Sequence, residues 1–179
     1  MQQGGDMPKR EAEGNPSSNL RELTTLELLR LHAAILEELA DRKVVRSKNN
    51  PIADYAEFLI CEALGLVLER KSRKGFDATD GSGRRYEIKT RRENPKRKTT
   101  LTSPLRDLDG EHFDELVIVL FAEDYTVKKA VQLPRRLVRD VGRFVKHVNG
   151  WMIPLRDSMW TTKGCRDITE RVREAQEHS

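Results

Sequence analysis

Residues 75–92 read GFDATDGSGRRYEIKTRR: a short alternating run, a glycine-rich break, and a second run that ends in bases. Two such runs joined by Gly81-Ser82-Gly83 predict a β-hairpin, because glycine supplies the left-handed backbone that a tight reversal needs. With the turn centred on Ser82, Asp80 falls opposite Arg84 and Asp77 falls opposite Glu87. Side chains alternate across a strand, so Phe76, Ala78, Tyr86 and Ile88 would share one face, with Asp77, Thr79, Glu87 and Lys89 on the other. One face is then core and the other a charge cluster.

Two carboxylates opposed on adjacent strands, with Cβ atoms about 5 Å apart, repel unless a positive group lies between them. Lys89 can be that group, and the cluster is then a surface salt bridge worth less than about 1 kcal/mol. A divalent cation is the alternative. Hard carboxylate oxygens on neighbouring strands suit Mg²⁺, which completes its octahedron with water and a substrate phosphate. Lys89 would then sit beside the attacking water and stabilise charge building on the phosphate oxygens.

Upstream of the hairpin, Asn50 can cap a helix, Pro51 suits its first position, and Gly65 can end it in a left-handed conformation. Ile52, Ala56, Leu59, Ile60 and Ala63 form its apolar stripe. Glu57 and Glu62 flank that stripe and could reach over a neighbouring sheet; Asp54 lies nearly opposite its centre, in a first turn where the helix dipole favours a carboxylate. An earlier helix is expected over residues 25–41. Thr24 and Glu27 have capping-box spacing, and Leu28, Leu29, His32, Ile35, Leu36 and Leu39 form an apolar row with His32 as a packed core residue.

Downstream, ELVIVLF at 115–121 reads as a central strand buried on both faces. A further strand over 125–133 is followed by a basic helix that Pro134 opens, about 135–146, then an Asn149-Gly150 turn and a terminal helix over 168–176. Residues 93–113 carry no amphipathic pattern. Interleaved strands and helices predict one α/β or α+β domain over 20–179, behind a polar, Gly/Pro-rich lead-in over 1–19.

A chain of 179 residues with 35% charged and 6% aromatic residues fits one polar globular domain. No apolar run reaches the roughly 18 residues of a membrane span, and no signal-peptide core is present, so a cytoplasmic protein with no membrane partner is expected. Cys61 and Cys165 lack metal-ligand spacing and are expected to be reduced. The net charge of +4 is uneven: residues 84–98 hold eight Lys/Arg against Glu87 and Glu93, so this segment is +6 and the remainder −2. Such concentration predicts a polyanion-binding surface.

Asp77, then Glu87-Ile88-Lys89 on the next strand, with a preceding helix bearing Glu57, resembles the PD-(D/E)xK nuclease superfamily. The run NPIADYAEFLICEALG with GFDATDGSGRRYEIKTR, over residues 49–92, is similar to an uncharacterised bacterial family placed in that restriction-endonuclease-like fold, as is HVNGW at 147–151. The resemblance implies a restriction-endonuclease-like core, a mixed β-sheet flanked by helices, here with an extra N-terminal helix. It implies Asp77, Glu87 and the Ile88 backbone carbonyl as ligands of Mg²⁺, with Mn²⁺ able to substitute. Lys89 would be the catalytic lysine and Glu57 the helix-borne acid, the family pattern YAE favouring Glu57 over Glu62. Phe76 stands where the superfamily usually has proline.

The expected function is a Mg²⁺-dependent DNA endonuclease serving restriction, defence or repair, with Arg91, Arg92, Lys96, Arg97 and Lys98 holding the DNA backbone. A homodimer would let two sites cut both strands, an arrangement the sequence leaves open. The alternative is a non-catalytic nucleic-acid-binding module on a nuclease-like fold. An RNA-directed domain ranks last, because no interleaved aromatic platform for unstacked bases is present.

Overall fold

The computed structural model describes residues 20–70, 75–94, 96 and 101–179. The expected lead-in over 1–19, and Arg97 and Lys98 of the basic segment, lie outside these residues. Two helices come first, α1 (Thr25–Asp41) and α2 (Ile52–Leu64). Strands β1 (Val67–Leu68), β2 (Ala78–Thr79), β3 (Arg85–Arg92), β4 (Glu115–Phe121) and β5 (Val127–Pro134) follow. The short helix α3 (Val138–Val141) leads to β6 (Arg143–Val145) and β7 (Gly150–Met152); then come α4 (Asp157–Trp160), β8 (Arg166–Asp167) and α5 (Thr169–Glu177). The chain is an α+β protein. Its main sheet runs β1-β2-β3-β4-β5-β8, mixed because β3 and β4 are parallel and the other pairs antiparallel; β6 and β7 form a separate hairpin.

Strand β4 sits centrally because its seven residues are apolar on both faces after Glu115. Val117, Val119 and Phe121 pack with Ala56, Leu59 and Ile60 of α2 and Val172 of α5, while Leu116, Ile118 and Leu120 pack with Val138, Ile153, Met159 and Trp160 on the other face. Phe121 is fully buried and stacks on Tyr55 at 5.6 Å. Truncating it to alanine would cost about 3–5 kcal/mol. The helix signals operate as expected at three ends. Thr24 and Glu27 form the capping box, Asn50 Oδ1 accepts the Ile52 N–H at 3.1 Å, and Gly65 closes α2 with φ of 67°. Cys61 and Cys165 are both free thiols.

Two expectations are corrected. In α1, Leu36 is the buried residue, whereas Leu26, Leu28, Leu29, Leu31, Ile35 and also His32 are exposed. The apolar periodicity there is real, but among the described residues that face has no sheet to cover. The basic helix after Pro134 is not one helix to 146: a 3₁₀ turn (Arg135–Leu137) and α3 stop at Gly142, and residue 143 begins β6. A side chain at 142 would meet the Val138 carbonyl at 2.6 Å. Asp54 lies in the first turn of α2 as expected, and there it is buried, accepting the Arg46 N–H at 2.8 Å and the Ser47 hydroxyl at 2.9 Å, and so ties the α1–α2 connection to α2.

The β3–β4 connection is a parallel crossover, which usually carries a helix. Among its described residues there is only a 3₁₀ turn, Leu108–Gly110. An extended strap runs beside the β6–β7 hairpin instead. Leu105 and Trp151 exchange both backbone hydrogen bonds at 2.8 Å, Thr102 N–H donates to Ile153 O at 3.0 Å, and the Thr102 hydroxyl accepts from Ile153 N at 3.0 Å. Asn149 takes a left-handed conformation and Gly150 lies against Pro104 and the Leu105 carbonyl. The HVNGW stretch therefore serves to hold the strap. No helix among the described residues is long and apolar enough to cross a membrane.

Candidate active site

The hairpin turn closes on Asp80. Its Oδ1 accepts from Ser82 N at 2.9 Å, Ser82 Oγ at 2.6 Å and Arg84 N at 3.0 Å, and the Ser82 hydroxyl bond leads in holding its carboxyl down at about 2. Thr79 pairs with Arg85 and Ala78 with Tyr86, as the turn centred on Ser82 requires. One residue further the regular register ends. Asp77, not Ala78 alone, faces Tyr86, donating its N–H to Tyr86 O at 2.8 Å. Two residues against one is a β-bulge, which re-aims the side chains that follow it. Phe76 is thereby turned away from Ala78, Tyr86 and Ile88 and packs on the opposite core, which corrects the expected shared face.

The bulge also re-employs the Asp77 carboxylate, whose Oδ2 accepts the Ile88 N–H at 2.7 Å. Ile88 itself is buried under α2. Asp77 and Glu87 line one pocket of about 270 Å³, whose other walls are Gly75, Phe76 and, from the crossover, Pro104, Leu105, Arg106, His112 and Phe113. The two carboxylates of the expected metal pair therefore share one solvent-accessible space. Burial pushes the Glu87 carboxyl above its ordinary value, Lys89 opposes that shift, and Asp77 adds to it.

Lys89 donates to Glu87 in a short ion pair, with side chains only 18% and 16% exposed. This contact matches the salt-bridge alternative read from the sequence, but largely out of water rather than on the surface. Glu57 approaches from α2. Its carboxyl is raised first by burial and next by the charge of Asp77, and it is paired with the Arg46 guanidinium, which also donates to Glu69 O at 2.6 Å. Glu57 is not among the residues lining the pocket. Glu62 is exposed and faces a different cleft with Arg171 and Glu174. Cys61, one turn beyond Glu57, has its thiol pushed up to about 12, by burial before the nearby Glu57 charge, and is not a nucleophile.

Of the basic segment, Arg91, Arg92 and Lys96 are exposed. Arg92 lies over the Tyr125 ring at 4.4 Å. Arg135 and Arg139 on the later basic stretch are already engaged, by Glu111 and Asp109 respectively. Residues that sequence reasoning missed are Arg46, which neutralises Glu57, and the crossover residues Arg106 and His112, whose place in the Asp77 pocket no periodicity announces.

The donor set suits a hard cation in part. Two carboxylates in one pocket are what Mg²⁺ takes from protein when substrate phosphate and water supply the rest. Among the described residues, no three His, Cys, Asp or Glu side chains are grouped as a ready cage. No protein-family model matches this chain, and no curated protein matches it.

Proposed function

We propose that the protein is a divalent-metal-dependent phosphodiesterase acting on DNA, with its centre in the Asp77–Glu87 pocket. The observation that carries this reading is two acidic residues lining one pocket, Asp77 just before β2 and Glu87 on β3, beside a lysine and at the foot of an exposed basic strand end. Asp77 and Glu87 would hold Mg²⁺ or Mn²⁺, with the neighbouring Ile88 carbonyl as a further oxygen donor. Such an ion supplies Lewis-acid polarisation of the phosphate and eases deprotonation of the attacking water. Lys89, paired with Glu87, would donate to a phosphate oxygen as negative charge builds on it. Arg91, Arg92 and Lys96, with Arg97 and Lys98 beyond them, fix the DNA backbone without reading its sequence. Glu57, neutralised by Arg46, sets the charge behind Asp77.

A second reading is a non-catalytic nucleic-acid-binding module. The observation favouring it is that Lys89 and Arg46 already neutralise Glu87 and Glu57. Supercoiled plasmid incubated with the protein and Mg²⁺ or Mn²⁺ separates the two. Nicking or linearisation that EDTA stops supports the hydrolase; DNA retention without cleavage supports the module.

A further inference from the structure

Among the residues lining the pocket with Asp77 and Glu87, the crossover contributes His112, whose ring is held by a carboxylate of its own loop. Its Nε2 lies 2.7 Å from Asp107 Oδ2. A carboxylate only accepts, so Nε2 carries the proton and, in the neutral ring, Nδ1 keeps a lone pair. Two glycines make room for this arrangement. A Cβ at Gly110 would fall 2.4 Å from His112 Nε2 and 2.6 Å from Asp107 Oδ2. A Cβ at Gly75 would fall 2.6 Å from His112 Cβ and 3.3 Å from Nδ1, so the ring packs directly on the backbone two residues before Asp77. The loop is pinned from outside as well, since Arg135 donates to Leu108 O at 3.0 Å and pairs with Glu111, and Arg139 pairs with Asp109. Even so, the His112 side chain is 44% exposed and lines the pocket.

We propose, resting on the hydrolase reading above, that His112 is a further catalytic residue, its Nδ1 taking a proton from the attacking water while Asp107 holds the ring through Nε2. The water O–H bond breaks toward Nδ1 as its oxygen forms the new bond to phosphorus. The bridging P–O bond breaks, its electron pair stays on the departing oxygen, and that oxygen takes a proton from solvent. A phosphomonoester and an alcohol result, and His112 returns its proton to bulk water.

The test compares wild type with His112→Ala, Asp107→Asn and Gly110→Ala for plasmid cleavage and thermal unfolding, and reads the imidazole nitrogens of the metal-free protein by ¹⁵N NMR. His112→Ala is expected to lower the rate roughly 10²–10³-fold with little change in melting temperature, and added imidazole to restore part of it. Asp107→Asn, whose amide can donate to Nε2 and so favour the opposite tautomer, should lower the rate by at least about 10-fold. The NMR spectrum should show the His112 proton on Nε2 and shift in the Gly110→Ala protein. A His112→Ala protein that cleaves at the wild-type rate overturns the proposal, as does a loss that imidazole does not repair while Asp107→Asn stays fully active. A resting proton on Nδ1 overturns it too, without reference to activity. Absence of cleavage by the wild type instead removes the hydrolase reading on which it rests.

Discussion

The Asp77 carboxylate accepts the backbone N–H of Ile88 at 2.7 Å, so a side chain from just before β2 completes the hydrogen bonding of β3 where the bulge interrupts the ladder. The same residue faces the pocket, and the two roles are separable. Asp77→Asn keeps an oxygen for Ile88 and removes one of two neighbouring negative charges, so metal-free stability should be unchanged or slightly raised while cleavage is lost. Asp77→Ala leaves the Ile88 N–H without its acceptor and should cost about 1–3 kcal/mol. Urea unfolding of the two variants measures the difference; equal losses would show that Asp77 contributes nothing through that bond.

Glu87 predicts a pH dependence. Its folded-state carboxyl lies above the ordinary value of 4.5, mainly through burial. The folded chain therefore holds a proton that the unfolded chain has already released. Stability from this group is complete below the ordinary carboxylate range and declines as pH rises through the raised value. Wild type should thus lose stability relative to Glu87→Gln as pH rises from the ordinary carboxylate range toward neutrality, measurable by thermal unfolding at a series of pH values. A difference independent of pH contradicts the shift.

Removing the amine from Lys89 leaves Glu87 a mostly buried, unpaired carboxylate. Lys89→Met should cost about 1.5–3 kcal/mol at neutral pH, and the loss should shrink as pH falls and Glu87 takes up a proton. Added Mn²⁺ should also recover stability, while cleavage falls roughly 10²–10³-fold. Stability equal to wild type at all pH values would mean that the ion pair contributes nothing.

The exposed basic segment predicts a salt-sensitive interface. Replacing Arg91, Arg92, Lys96, Arg97 and Lys98 together should weaken binding to all DNA sequences about equally and flatten the dependence of log K on log salt, since each phosphate contact releases counterions. Fluorescence anisotropy at low and moderate salt measures this. An unchanged slope places the DNA surface elsewhere, and with Arg135 and Arg139 engaged by acidic partners, Arg136 and Arg143 become the next residues to replace.

What the sequence made legible was local. Thr24, Asn50, Gly65 and the Ser82 turn act through neighbours within a few residues, and the continuous apolar run of β4 needs no partner to be named as central. The bulge at Asp77 was not legible, because it reflects competing pairings: Glu69 donates to Asp77 O at 2.9 Å on one side while Tyr86 receives the Asp77 N–H on the other. Nor was the fate of α1, whose apolar periodicity is correct but whose covering surface is absent among the described residues. His112 and Arg46 reach the site through connections with no repeating pattern. Gly75 and Gly110 were the available signals for His112, and their meaning depends on a contact between segments far apart in the chain.

Mn²⁺ binding tests the central claim, that Asp77 and Glu87 form a cation-holding pair rather than a partner set for Lys89 alone. Electron paramagnetic resonance of free Mn²⁺, titrated with wild type, Asp77→Asn and Glu87→Gln, should show about one bound ion per wild-type chain, strengthened by added DNA. Both variants should lose it while remaining folded. Undiminished binding by the two variants, or no binding to wild type even with DNA present, would contradict the account.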